Sequence, residues 1–407
     1  MYNSDPLIAC GLTSILGLSV LFSLSKALKT IAILFITAFV SFNTAFAIDF
    51  STKAKQAYLI DARTGTVLFA KNENDLIPPA SLAKIMTMEV VFDALKKGEI
   101  TLEDQYNVSE HAWRTGGAPS RTSTMFASLG SDIRVEDLIR GAIVQSGNDS
   151  CIILAEGMEG SEEKFATRMT ERAREIGLPK SVFANPTGLP HPDAQVTMKE
   201  LVHLAQHMYN TYPEYYKYYA ETEFTWNRIR QLNRAPLLNA GIGVDGLKTG
   251  FTEASGYGIV SSIEQDGQRL FLAMSGMKDQ KQRISETKKI LEWGLRNFKS
   301  KLIFEDGETI GSASVYGGEG GKVDLVTKGD VDILLGVGNN ERLKARIAYN
   351  WPLSAPVKQG DEVAEIRIWV GETLSRTAPL YAASNIEPGP LHRRAWDAFK
   401  EMLLFWL

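Results

Sequence analysis

A change of residue pattern near residue 300 does most to limit how this chain can fold. Before it, apolar residues recur at helical spacing in several segments, with strand-like runs at both ends of the region. After it, residues 301–386 form short β-rich runs between glycine-containing turns, as in KVDLVTK and EVAEIRIWV. The sequence therefore predicts a mixed helix-and-sheet domain over residues 48–300 and a small all-β sandwich over 301–388, which suits a chain of 407 residues.

Within the first domain, strand-like runs frame a helical middle. KQAYLIDARTGTVLFAKN (55–72) has two apolar runs around an Arg-Thr-Gly turn and predicts a β-hairpin. GVDGLKTGFT, GYGIVSSIEQ and RLFLAMSGM predict three more strands, the last two joined by an Asp-Gly turn. Helical spacing occurs in IMTMEVVFDALKK, VEDLIRGAIVQ, SCIILAEGME, SEEKFATRMTERAREIG, TMKELVHLAQHMYN and QRISETKKILEWGLRNF.

The N-terminus, residues 1–47, is typical of an export signal. Lys26 and Lys29 precede the apolar run IAILFITAF, and Ala45-Phe46-Ala47 supplies the small-x-small pattern before a cleavage site. A second apolar run at 7–24, about 18 residues long, is either a membrane-spanning extension or a sign that translation starts further downstream. We expect the mature protein to begin near Ile48.

Composition excludes several classes of protein. The net charge of −4 and the lack of a basic face argue against a nucleic-acid partner. Two cysteines cannot form a disulfide framework, and Cys151 is expected to be a buried small side chain. His203 and His207 stand four apart, but Leu204 replaces the glutamate of a zinc-protease helix, so we expect no metal and no cofactor.

Three short strings together point to nucleophilic chemistry. They are SLAK (81–84) at the start of a predicted helix, SGN (146–148) in a turn between helices, and KTG (248–250) on a predicted strand. Each string alone is weak, since a serine and a lysine at a helix start are usually a cap and a solvated charge. Their order and their placement favour one shared site.

The first string pairs a nucleophile with a base. The Ser81 hydroxyl needs a nearby group to remove its proton, and Lys84 lies one turn away on the same helix face. A lysine can be that base only if burial or a neighbouring cation lowers its pKa, and Lys248 can be that cation. Because two ammonium groups in one site repel each other, we expect a neutral Lys84 and a charged Lys248.

The other two strings supply groups for the substrate. Ser146 can pass a proton to a leaving nitrogen, and Asn148 can hold a substrate amide and Lys84 together. Lys248 and Thr249 present a positive, hydrogen-bonding edge to a carboxylate, and Gly250 leaves room for an extended substrate to lie along the strand. The backbone amides of Ser81 and Phe251 are the expected oxyanion donors.

The chain resembles the low-molecular-mass penicillin-binding proteins that act as D-alanyl-D-alanine carboxypeptidases, the S11 family of serine peptidases. The three strings match the S-x-x-K, S-x-N and K-T-G elements of penicillin-recognising serine enzymes. The resemblance covers nearly the whole mature chain, including AYLIDARTGTVL, PASLAKIMT, IVQSGNDSC, FANPTGLP, VDGLKTGFT and KKILEWG. It implies an α/β (α+β) transferase domain, with an antiparallel sheet flanked by helices, followed by a β-sandwich and a C-terminal amphipathic helix.

The resemblance also implies roles for individual residues. Ser81 is the acylated nucleophile and Lys84 its base. The other catalytic and substrate-binding residues that it implies are Ser146, Asn148 and Lys248, and Gly147, Thr249, Gly250, Phe251 and Arg283. Arg283 matches the arginine that helps to bind the terminal carboxylate. The chain departs from the family pattern at Ala235, where an Asn-Arg-Asn string is common, and at Phe251, where some members have histidine.

The implied function is removal of the terminal D-alanine from peptidoglycan pentapeptides, with acylation by β-lactams. One alternative is a β-lactamase or D,D-endopeptidase on the same fold. The loop at 180–200 lacks the Glu-x-x-Asn string with which a class A β-lactamase activates water. A second alternative is a non-catalytic peptidoglycan-binding envelope protein, although the intact strings argue against lost activity.

The C-terminal segment, residues 389–407, predicts an amphipathic helix. In LHRRAWDAFKEMLLFWL most apolar residues fall on one side of a helical wheel and most charges on the other. With five charges it is a poor spanning helix, so we expect it to lie on the inner-membrane surface. The alternative is a helix that packs on the β-domain. Together with the export signal, the segment predicts a periplasmic protein attached to the outer face of the cytoplasmic membrane.

Overall fold

The computed structural model describes residues 50–337, 342–371 and 373–404. The predicted export signal at 1–47 and the last three residues of the predicted tail lie outside these ranges.

Helices of the first domain follow the predicted periodicity closely. The described α-helices are α1 (Lys84–Lys97), α2 (Glu110–Thr115), α3 (Val135–Val144), α4 (Asn148–Glu159), α5 (Glu162–Glu175), α6 (Met198–Thr211), α7 (Pro213–Tyr216), α8 (Gln280–Asn297) and α9 (Leu391–Leu404). Gly98 ends α1 in the left-handed conformation with φ 73°, as the Lys-Lys-Gly stop predicted. Every residue of α1 from Lys84 to Leu95 is buried, so it is the central helix of the domain.

The first domain is built on one antiparallel sheet. Its strands are β1 (Gln56–Asp61) and β2 (Val67–Lys71), and β7 (Val244–Thr252), β8 (Gly256–Gln265) and β9 (Gln268–Met277), in the order β2-β1-β9-β8-β7. The two predicted hairpins, β1–β2 and β8–β9, are confirmed. Strand β7, which carries the KTG string, lies at the edge of this sheet, where its outer backbone groups can meet a ligand.

Two short hairpins accompany the helical part. They are β3 (Gln105–Asn107) with β4 (Asp132–Arg134) and β5 (Glu223–Trp226) with β6 (Ile229–Leu232). The tyrosine-rich segment that precedes β5 packs into the core, because Tyr212, Tyr216, Tyr218 and Tyr219 are all buried. The β5–β6 hairpin itself had no clear sequence signal.

The second domain is made of strands around one apolar core. Strands β14 (Leu343–Ala348), β16 (Glu362–Val370), β17 (Thr373–Ala382), β12 (Lys322–Val326), β11 (Thr309–Tyr316) and β15 (Leu353–Ser354) form a sheet in that order, and β10 (Phe298–Phe304) pairs with β13 (Val331–Gly336). Val331 and Ile333 of β13 share a core with Leu325, Ile366 and Leu380 of the larger sheet.

The last element that the structure describes is α9, whose described apolar side chains face solvent. Leu391 is 80% exposed, Trp396 57% and Phe399 47%. Among the residues that the structure describes, no helix is both long and apolar enough to cross a membrane.

Candidate active site

Ser81 lies one turn ahead of α1, not within it. Residues Ala80–Ala83 form a short 3-10 helix that follows Pro79, and α1 begins at Lys84. Ala80 enters this turn with φ 50°, a left-handed conformation that side chains other than glycine seldom adopt. Despite the tighter turn, the Ser81–Lys84 spacing of three residues places Lys84 Nζ 3.2 Å from Ser81 Oγ.

The Lys84 amine has two further partners, and both are obligate acceptors. Nζ donates to Asn148 Oδ1 at 2.7 Å and to the Thr187 carbonyl at 2.6 Å, and Lys84 is only 1% exposed. A neutral amine has two N–H groups and one lone pair. If the two acceptors take both N–H groups, the lone pair is left for the Ser81 hydroxyl, which is the arrangement of a general base.

The SGN string forms the tight turn between α3 and α4, as predicted. Ser146 is buried and left-handed at φ 64°, and Asn148 is the first residue of α4. No hydrogen bond joins the Ser146 hydroxyl to Lys84 or Lys248 within the described residues. A side chain at Gly147 would come 2.6 Å from Ser150 Oγ, so this glycine permits a close approach within the turn.

The KTG string lies on β7 directly against the Ser81 turn. Lys248 and Thr249 are buried, and Lys248 Nζ donates to the Thr249 carbonyl at 3.2 Å. A Cβ at Gly250 would stand 3.2 Å from both Ala80 Cβ and Leu82 Cγ. The structure thus gives a reason for this glycine other than room for substrate, because Gly250 lets the strand pack closely on the nucleophile's turn.

The two lysine amines are both buried, and both pKa values are lowered. Burial lowers the pKa of Lys84 to about 8. Burial, followed by the charges of Lys84, Arg234 and Arg283, lowers the pKa of Lys248 well below its ordinary value. The pKa of both amines is therefore lowered, and the expected pairing of a neutral Lys84 with a charged Lys248 stays a prediction. The surroundings of the two amines differ, because Lys84 Nζ has two strong acceptors, whereas Lys248 has one longer hydrogen bond and faces several cations.

Arg283 on α8 adds a cation with no carboxylate partner among the described residues. Its Nη1 donates to the Gly250 carbonyl at 3.4 Å, and its Nε is buried without a hydrogen-bond partner in that part of the chain. The guanidinium carbon lies 5.4 Å from the centre of the Tyr257 ring. Phe251, 51% exposed, packs on the same ring at 4.4 Å. An unpaired guanidinium beside β7 is suited to binding an anion.

The loop at 185–188 is a part of the site that sequence reasoning missed. Asn185 Oδ1 accepts hydrogen bonds from Thr187 N, Thr187 Oγ1 and Gly188 N, and so shapes the turn that presents the Thr187 carbonyl to Lys84. Gly188, at φ 75°, lies so close to Ala80 that a Cβ would stand 1.7 Å from its carbonyl oxygen. The available signal was the NPTG string, because asparagine often organises the turn that follows it.

Other candidate residues lie apart from this cluster. His203 packs edge-on against Tyr58, and among the described ranges no group of three His, Cys, Asp or Glu side chains is placed to hold a metal ion. Glu200 accepts hydrogen bonds from Lys180 N, Ser181 N and Ser181 Oγ, so it anchors a loop. Cys151 is fully buried as expected, and burial raises its pKa to about 11.

A cavity of about 740 Å³ lies at the far end of the sheet, between the β8–β9 turn and the start of β10. It contains none of the predicted site residues. The predicted site residues meet instead where the Ser81 turn, the SGN turn and β7 come together.

Comparison with known proteins identifies the family. A family model described as D-alanyl-D-alanine carboxypeptidase, of the S11 peptidases, matches residues 43–279, more than half of the chain. The chain belongs to the D-alanyl-D-alanine carboxypeptidase family. A second family model, described as the C-terminal domain of penicillin-binding protein 5, matches residues 298–388.

Relatives in this family match over most of their length. D-alanyl-D-alanine carboxypeptidase DacC of Escherichia coli is 36% identical over 362 residues, which cover 87% of this chain and 90% of that protein. Penicillin-binding protein 5 of Haemophilus influenzae superposes with a TM-score of 0.75 at 33% identity, over 83% of this chain and 99% of that chain. Penicillin-binding protein 6B of E. coli superposes with a TM-score of 0.68 at 30% identity, over 84% of this chain and 99% of that chain. The expected family, the peptidase activity and the fold of sheet, helices and β-domain are confirmed.

Proposed function

We propose that this protein is a serine-type D-Ala-D-Ala carboxypeptidase that removes the terminal D-alanine from peptidoglycan pentapeptides through an acyl-enzyme on Ser81. The observation that carries the proposal is the 3.2 Å contact between Lys84 Nζ and Ser81 Oγ, with the two other Lys84 hydrogen bonds directed to acceptors. A carboxypeptidase of this family needs an activated nucleophile, and this pair can supply one.

In the first step Ser81 Oγ attacks the carbonyl carbon of the penultimate D-alanine while Lys84 Nζ takes the hydroxyl proton. The oxyanion that forms accepts hydrogen bonds from the backbone amides of Ser81 and Phe251. The C–N bond then breaks, and the leaving nitrogen takes up a proton through Ser146. Free D-alanine departs, and a water molecule hydrolyses the Ser81 ester by the same route.

The terminal carboxylate binds beside β7. Lys248 and Thr249 donate hydrogen bonds to it, and Arg283 supplies the fixed positive charge. The lack of a carboxylate partner for Arg283 among the described residues supports this role, because a buried guanidinium without an anion is costly. The substrate backbone lies along the free edge of β7, with Asn148 and Gly147 on the opposite side of the cleft.

β-Lactams use the same site. The lactam amide takes the place of the D-Ala-D-Ala bond, and its carboxylate takes the place of the terminal carboxylate. After Ser81 opens the ring, the leaving nitrogen stays tethered to the acyl group and cannot diffuse away. The proposal therefore predicts a longer-lived acyl-enzyme with penicillin than with peptide.

Release of free D-alanine from a synthetic pentapeptide ending in D-Ala-D-Ala tests the activity. The wild type should release one D-alanine per peptide, and the same peptide ending in L-Ala should be inert. Cleavage of cross-linked dimers without release from the monomer would indicate an endopeptidase. Rapid turnover of penicillin would indicate a β-lactamase, and no reaction with any of them would indicate a binding protein.

We also propose that the protein is exported, with domains at 48–300 and 301–388, and that residues 389–407 hold it to the outer face of the cytoplasmic membrane. The exposed Leu391, Trp396 and Phe399 support this placement, as does stacking of the last two rings at 5.8 Å. Aromatic side chains suit the lipid headgroup region, and Arg393 and Arg394 suit anionic lipids.

Deletion of 391–407 tests the attachment. The truncated protein should move from the membrane fraction to the soluble fraction and keep full activity on small peptides. Retention at the membrane would mean that residues 7–24 are the anchor, and misfolding would mean that the helix belongs to the β-domain.

A further inference from the structure

Asp149 is a buried carboxylate beside the site that the proposed reaction does not use. The residue is 0% exposed and lies in the first turn of α4. Its oxygens accept hydrogen bonds from Thr124 Oγ1 at 2.6 Å, Met125 N at 2.9 Å and Ala127 N at 3.1 Å, and from Ser150 N at 3.0 Å on its own helix. Three of these four donors belong to one loop, which we call the 122–127 loop.

The 122–127 loop contains a strained residue, and the Asp149 carboxylate binds the backbone amides of its two neighbours. Phe126 has φ 67°, an unfavourable conformation for a bulky side chain. The amides on either side of it, of Met125 and Ala127, both donate to Asp149, and Phe126 N donates to Thr124 Oγ1 at 2.9 Å. Strain of this kind persists only where the surroundings impose it, so the carboxylate holds the loop in shape.

Two glycines allow the carboxylate to sit this close. A Cβ at Gly147 would stand 2.8 Å from Asp149 Oδ1 and 3.1 Å from Met125 N, and a Cβ at Gly116 would stand 2.4 Å from Asp149 N. The SGN turn, the loop and the end of α2 therefore meet around Asp149 without space for relaxation.

The loop in turn holds Asn148. Asn148 Nδ2 donates to Thr122 Oγ1 at 2.9 Å, and its backbone amide donates to the Ser123 carbonyl at 2.7 Å. With its NH2 group bound to Thr122, the amide oxygen of Asn148 must face Lys84 Nζ. If the loop moved, the amide could turn and present N–H groups to the amine, and Lys84 would lose one of its two strong acceptors.

We propose that Asp149 is a positioning residue, whose carboxylate fixes the 122–127 loop so that Thr122 holds the Asn148 amide oxygen toward Lys84. This inference rests on the proposed function, in which Lys84 takes the proton from Ser81. The negative charge contributes as well. The pKa of Lys84 is lowered to about 8 in all: burial lowers it most, Cys151 raises it, Arg234 lowers it and Asp149 raises it. Lys248, whose amine lies in the same cluster, faces Lys84, Arg234 and Arg283.

The test compares acylation by a fluorescent penicillin in Asp149→Asn, Thr122→Val and the double variant. Asp149→Asn should slow acylation at least tenfold, and it should move the midpoint of the pH profile set by Lys84 to lower pH, because the charge that raises this pKa is gone. Thr122→Val removes the hydroxyl that binds Asn148, together with its contact to Ser120 Oγ, at an exposed position. It should slow acylation about as much as Asp149→Asn, with a smaller change in midpoint. The double variant should be no slower than the slower single variant, since both substitutions disrupt the same chain of contacts from Asp149 through Thr122 to Asn148.

Glu200→Gln is the matched control. Glu200 is also a buried carboxylate that accepts two backbone amides and a hydroxyl, but it anchors the loop at 180–181. Its substitution should lower thermal stability and leave the acylation rate and the pH midpoint unchanged.

The outcomes separate this inference from the proposed function. An unreactive wild type would reject the proposed function. A reactive wild type together with a folded Asp149→Asn that keeps the wild-type rate and midpoint would overturn the positioning role. If Asp149→Asn does not fold, Thr122→Val decides, and a wild-type rate in that variant would overturn it equally.

Discussion

Gly188→Ala is the substitution that tests most sharply how the Ser81 turn and the Lys84 acceptor loop depend on each other. A Cβ at Gly188 would stand 1.7 Å from the Ala80 carbonyl oxygen and 2.5 Å from its carbon. Ordinary contact distances are about 3.5 Å, so one of the two segments must retreat by roughly 2 Å. One segment carries the neighbouring Ser81, and the other carries the Thr187 carbonyl that binds Lys84.

Either displacement separates the nucleophile from its base. A misplacement of about 1 Å can cost about 100-fold in rate, so acylation by a fluorescent penicillin should fall by at least that factor. The left-handed φ of 75° adds about 1 kcal/mol of strain, and the overpacking about 1–3 kcal/mol, so the free energy of unfolding should fall by about 2–4 kcal/mol.

Gly177→Ala is a control that separates the effect of backbone strain from the effect of a steric clash. Gly177 has φ 81° but no atom within 4 Å of its ideal Cβ. This control should lose about 1 kcal/mol of stability and keep its acylation rate. If folded Gly188→Ala were acylated within twofold of Gly177→Ala, the tight coupling between the 185–188 loop and the Ser81 turn would be refuted.

Two further predictions concern the lysines. Lys84→Arg should be nearly inactive in acylation because a guanidinium cannot accept the Ser81 proton. Lys248→Arg keeps hydrogen-bond donors and should retain more activity. Equal losses of penicillin labelling in the two variants would contradict these roles. Because Lys84 must be neutral to act as base and its pKa is lowered to about 8, the second-order acylation rate should rise about ninefold from pH 6 to 7 and about fivefold from pH 7 to 8. A rate constant that stays flat over this interval in stopped-flow measurements would exclude Lys84 as the titrating base.

Local patterns were enough to predict the long helices and the main-sheet strands of the first domain, but not its short helices and hairpins. The helix after Ser81 ends at the glycine that the sequence indicated, and the contact between Ser81 and Lys84 follows from their spacing of three residues. The meeting of residues 81–84 with 146–148 and 248–250 depends on contacts between distant parts of the chain, and it was predicted from the order of the three strings and the family resemblance, not from any local pattern.

Three features could not be predicted from the sequence, each for a physical reason. The Thr187 carbonyl is a backbone group, which has no signature of its own in the residue types. The lowered pKa of Lys248 depends on its burial and on the cations that surround its amine in space. The packing of Gly250 on Ala80 is equally a property of the folded chain, whereas the sequence suggested only room for a ligand.

Peptide mapping of the penicillin adduct tests the central claim most directly. Purified protein is incubated with benzylpenicillin, digested, and analysed by mass spectrometry beside the Ser81→Ala variant, whose small change at a partly buried position of the turn should leave the fold intact. The account predicts a mass increase of one whole penicillin molecule on the peptide that contains Ser81, since ring opening releases no atoms, and no increase in the variant. An adduct on another residue, or one that persists in Ser81→Ala, would contradict the assignment of Ser81 as the nucleophile.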